Sequence, residues 1–152
     1  MAYIPESAKW YLAEIVQQIT VEGDPRNVVH TNLVLVRADS PEEAYEKAME
    51  LGTAGNQSYE NPGGYRVTFR FRGLRDLNVI HDELEHGAEL IYDEKTDMDE
   101  PAIQKWVSPK EELGVFRPRT RSTGPDYSSR DVMEELYERF PNLKPDDDPS
   151  RD

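Results

Sequence analysis

The chain has 152 residues and carries 18 Lys and Arg against 31 Asp and Glu, a formal charge of −13 at pH 7. At 36% hydrophobic and 32% charged residues it is too apolar to be wholly disordered and too polar to sit entirely in one packed body. With no cysteine, it excludes disulfides, thiolate nucleophiles and Cys-ligated metal sites. No signal peptide opens the sequence, and no stretch approaches the ~20 apolar residues of a bilayer span. The expectation is a soluble cytoplasmic protein with no membrane partner. Its negative charge argues against nucleic acid as well.

Trp10 to Val21 reads as a strand with Tyr11, Ala13, Ile15, Ile19 and Val21 on one face. Glu22-Gly23-Asp24-Pro25 is turn chemistry, and Asn27 to Arg37 follows as the second strand of a hairpin. Its run Leu33-Val34-Leu35-Val36 is apolar on both faces, which predicts a central strand. Ser40-Pro41-Glu42-Glu43 starts a helix with a capping box. Ala44, Tyr45, Ala48 and Leu51 form its apolar stripe, and Gly52 suits a left-handed C-terminal cap.

Thr53 to Gly64 reads as a polar loop. Tyr65, Val67, Phe69 and Phe71 then alternate with Arg66, Thr68, Arg70 and Arg72, a strand with one buried face and one wet one. Gly73 breaks this pattern, Leu74, Leu77, Val79 and Ile80 resume an apolar segment, Ala88 to Tyr92 reads as a short last strand, and Trp106-Val107 is expected to pack on the domain edge. Arg117 to Pro125 has linker composition. Ser128 to Phe140 predicts an amphipathic helix with Val132, Met133, Leu136, Tyr137 and Phe140 on one face. The expected organisation is a compact domain over 1–108, a linker over 109–127, a tail helix over 128–140 and a disordered acidic end over 141–152.

Several motifs in order resemble one family. Trp10-Tyr11-x-Ala13, Asn32-Leu33-Val34-Leu35, Ala38-Asp39-Ser40-Pro41-Glu42-Glu43-Ala44-Tyr45 and Leu51-Gly52 come first. Phe71-x-Gly73-Leu74-x-Asp76-Leu77, Asp82-x-Leu84 and Gly87-x-Glu89-Leu90-x-Tyr92 follow. Together they resemble the bacterial family of small domains called domain of unknown function 4288. The resemblance implies one compact domain over roughly Trp10 to Tyr92, and it implies no chemistry.

His81-Asp82-Glu83-Leu84-Glu85-His86 concentrates two histidines with three carboxylates. Five residues separate the histidines, so they cannot share one helical face as the zincin spacing requires, and a polar turn is the simpler reading. Arg66, Arg70 and Arg72 beside Phe69 and Phe71 superficially suggest an RNA platform. Alternation, however, puts the aromatics on the opposite face from the arginines. The residues therefore assign no catalytic group, no metal ligand and no cofactor.

The predicted fold is α+β, a mainly antiparallel sheet with one packed helix in β-β-α-β-β order. The predicted function is a non-catalytic module that binds another protein. The contacts would be Arg66, Arg70 and Arg72 on the sheet and Val132, Met133, Leu136, Tyr137 and Phe140 on the tail helix. A small metal-dependent enzyme centred on His81 to Glu89, and a homo-oligomeric structural protein that pairs edge strands or covers the exposed sheet face, are the competing classes.

Overall fold

The structure is a computed structural model that describes residues 4–118 and 123–144. Its four strands are β1 (Trp10–Val21), β2 (Val28–Arg37), β3 (Gln57–Glu60) and β4 (Arg66–Val79). They form one antiparallel sheet in the order β2-β1-β4-β3, with the helices α1 (Pro41–Ala54), α2 (Glu100–Trp106) and α3 (Arg130–Arg139). The predicted α+β class holds. Several local expectations do not, beginning with the course of the chain after α1. β3 lies inside the stretch read as a loop, β4 runs unbroken past Gly73, and Ala88–Tyr92 forms no strand.

β4 passes Gly73 by bulging. Phe71 faces Gln17 and Gly73 faces Val16, so Arg72 has no partner on β1; Arg75 is skipped in the same way between Leu74 and Asp76. Each extra residue restores the alternation, which keeps Phe69, Phe71, Leu74 and Leu77 on the core face.

One face of the sheet is buried in two halves. Tyr11, Ala13, Ile15 and Val36 pack under Ala44 and Ala48 of α1. The capping box forms in modified shape: Ser40 Oγ accepts from Glu43 N at 3.1 Å, while Glu43 Oε2 accepts from Asp39 N at 3.1 Å. Gly52 does not end the helix. α1 continues to Ala54 and is capped by Gly55 in right-handed conformation (φ −78°). Gly52 instead faces the Phe71 ring, where a Cβ would come within 2.4 Å of a ring carbon. Its role is close approach and not backbone freedom.

Among the described residues, no helical side chain packs against the second half, Ile19, Val21 and Val67. Tyr127 covers it, its ring edge-on to Phe69 and His30. The Tyr59 hydroxyl donates to the Tyr127 carbonyl, Asn61 Nδ2 donates to the Asp126 carbonyl at 3.0 Å, and Arg26 Nη1 donates to the Thr123 carbonyl at 2.8 Å. An Arg130–Glu60 ion pair at 2.9 Å completes the attachment. Residues 123–127, within the stretch read as linker, are therefore docked on the sheet.

Gly23 turns β1 into β2 at φ +82°, where a side chain would strain the backbone. Beside it Arg26 grips Asp24 through Nε and Nη2 at 3.0 and 2.8 Å, and this hydrogen bonding holds the Asp24 carboxyl at about 2 against its ordinary 3.8. A depressed carboxyl contributes stability that is full above about pH 4 and lost as pH falls through about 2. Carbon-detected NMR titration should find this low value, and Arg26→Ala should return it to the ordinary range.

Residues 81–118 contribute little to the core. Asp99 caps α2 by accepting from Ala102 N at 3.0 Å. Trp106 and Val107, expected on the domain edge, are 66% and 69% exposed, the indole meeting Lys95 Nζ at 4.6 Å.

Candidate functional site

The register of the sheet composes its second face row by row. Arg70, Gln18 and Val29 lie abreast; then Gly73, Val16 and Thr31; then Asp76, Glu14 and Leu33; then Asn78, Leu12 and Leu35. α1 and Tyr127 both pack on the opposite face. This second face carries Arg70 and Asp76 on β4, Glu14 and the buried Leu12 on β1, and the apolar Val29, Leu33 and Leu35 on β2.

Arg66, Arg70 and Arg72 are all exposed, as the alternation requires. Arg66 donates to Ser58 Oγ at 2.7 Å across the β3–β4 pair. Arg70 lies in the paired ladder opposite Gln18, and Arg72 lies in the bulge without a partner on β1. Among the described residues neither has a carboxylate within 4 Å. Arg75, on the next bulge, reaches Glu14 at 3.7 Å.

The apolar stripe predicted for the tail falls on α3. Met133, Leu136 and Tyr137 are half-buried, whereas Val132 and Phe140 are 62% and 52% exposed. The expected Ser128 start is displaced. Ser128 is held by Asp126 through both its N–H and its hydroxyl, and the helix begins at Arg130 behind Ser129. Beyond Phe140 a short 3-10 turn spans Pro141–Leu143, and residues 145–152 of the expected acidic end lie outside the described residues.

His81 to His86 is not helical, and its residues are exposed. His81, Asp82 and Glu89 line one open cleft of about 470 Å³, with Asp82 accepting from Glu89 N at 3.0 Å; His86 lines a different one. Among the described residues no three His, Asp or Glu are grouped so as to hold a metal.

Two features escaped the sequence. β2, predicted central from its two apolar faces, is an edge strand and leaves Val29, Leu33 and Leu35 exposed. Tyr127 sits in a polar, Pro-rich stretch with no periodicity, so only its aromatic character could have flagged it as core.

No helix among the described residues is long and apolar enough to cross a membrane. Compared with known proteins, the chain matches no curated protein and no solved structure. A family model does match, over residues 10–92, which is more than half of the chain and ends before the tail. The match covers all four strands and α1. The chain therefore belongs to the DUF4288 family, described as a domain of unknown function.

Proposed function

We propose that the protein is a non-catalytic cytoplasmic module that takes an acidic segment of another protein on the open face of its sheet. Arg66, Arg70 and Arg72 make the contact, and the stripe of α3 from Val132 to Phe140 provides a second one. The observation that carries this reading is a sheet face on which neither α1 nor Tyr127 packs, with Arg70 and Arg72 exposed on it and lacking a carboxylate among the described residues. A planar guanidinium matches a carboxylate in a two-point contact, and two of them two residues apart on one strand suit an extended chain bearing several acids.

The test is fluorescence anisotropy with a labelled Glu/Asp-rich peptide. Single exposed pairs are worth about 0–1 kcal/mol, so affinity should rest on the cluster and fall with salt. Arg70→Glu/Arg72→Glu should weaken binding at least about tenfold, roughly 1.4 kcal/mol. Unchanged affinity in that variant overturns the reading.

A further inference from the structure

We propose that β2 pairs with the β2 of a second copy of this chain, antiparallel about a two-fold axis at Asn32, fusing two four-stranded sheets into one. The backbone supplies the first argument. Ala38 N donates to the Lys9 carbonyl at 2.9 Å, and these two residues lie directly opposite in the β1–β2 register. In an antiparallel pair such a bond makes the even residues of β2 face β1 and turns the N–H and C=O of the odd ones outward. The outward set is Val29, Thr31, Leu33, Leu35 and Arg37. Lys47 Nζ occupies the Arg37 carbonyl at 2.7 Å, so the outward run with both groups free extends from Val29 to Leu35 and is centred on Asn32. Among the described residues no strand lies beside it.

Self-complementarity is the second argument. About an axis at Asn32, Val29 meets Leu35 and Thr31 meets Leu33 on the open face, while Val28 meets Val36 and His30 meets Val34 on the helix face. Every residue from Val28 to Val36 finds its partner within the same range. No carboxylate and no like-charged pair lies on this line, so two copies of a strongly acidic chain meet where neither is acidic.

The third argument is the contrast between edges. β3 has four residues, and Glu60 at its end is held by Arg130, which is how a protein blunts an edge. β2 has ten residues with no proline, lysine or bulge, and its open-face side chains Val29, Leu33 and Leu35 are 57%, 62% and 44% exposed. A groove between β2 and α1, lined by the apolar Leu35, Val36, Leu51 and Ala54 and rimmed by Arg37, Lys47 and Glu50, runs along the same edge. An added strand therefore meets apolar surface on both faces, and the two-faced sequence of β2 acquires the central place it describes.

Sedimentation velocity of the full chain decides the matter. The wild type should sediment at twice 17.5 kDa. Thr31→Pro removes only an outward N–H, which an edge strand tolerates, and Leu33→Lys charges an exposed position; both should sediment as folded monomers by circular dichroism. In this chain without cysteine, Asn32→Cys should cross-link two copies on mild oxidation, because opposed residues of a non-bonded pair lie ~4.5 Å apart. A monomeric wild type, a dimer indifferent to both variants, or a dimer in which Asn32→Cys fails to link overturns the proposal.

Discussion

Gly52→Ala is expected to destabilise the fold by about 1–3 kcal/mol, although alanine is the better helix former by ~1 kcal/mol. α1 presents Ala44, Ala48 and Gly52 to the sheet at four-residue steps, and the first two are fully buried. At Gly52, the next position in this row, a Cβ would lie 2.4 and 2.6 Å from carbons of the Phe71 ring. Phe71 cannot swing away freely, since it packs against the same core cluster. The helix must lift or the ring must leave its rotamer. Urea denaturation measures the loss. Combining Gly52→Ala with Phe71→Leu should recover part of it, because residues in contact do not add. A Gly52→Ala variant more stable than wild type would mean that α1 does not seat this closely.

Removal of residues 117–152 should lower the melting temperature by about 5–10 °C, corresponding to about 2 kcal/mol for a domain near this size. The reason is Tyr127. It closes the half of the core that α1 does not reach, and its loss would expose Ile19, Val21 and Val67, at present 0%, 6% and 0% exposed. Tyr59 and Asn61 would also lose their carbonyl acceptors on Tyr127 and Asp126. Tyr127→Ala in the full chain should reproduce most of the drop. A truncated chain that melts with the wild type contradicts the assignment of this segment to the core.

The β1–β2 hairpin, α1 and the alternation of β4 were legible because each is a local pattern: period two, period 3.6, or a capping signal written in adjacent residues. The Arg face was legible for the same reason. What failed depended on partners distant in sequence. β2 reads as central because its side chains are apolar on both faces, yet its place in the sheet is set by whether another strand reaches its far edge. Gly52 reads as a helix stop because the sequence does not show the Phe71 ring that requires it. Tyr127 reads as linker because its contacts lie about sixty residues or more away, on β3 and β4 and, across the sheet, on His30. The bulges at Arg72 and Arg75 appear in the sequence only as an interrupted alternation after Gly73.

The claim that the open sheet face is the binding surface is tested most directly by titrating an unlabelled Glu/Asp-rich peptide into nitrogen-15-labelled protein and following the backbone amides. Saturable shifts are expected at Thr68, Arg70, Arg72 and Gln18, the β1 partner of Arg70, and they should vanish in Arg70→Glu/Arg72→Glu. Saturable shifts confined to the core-face side around α1, or a response unchanged in that variant, would contradict it.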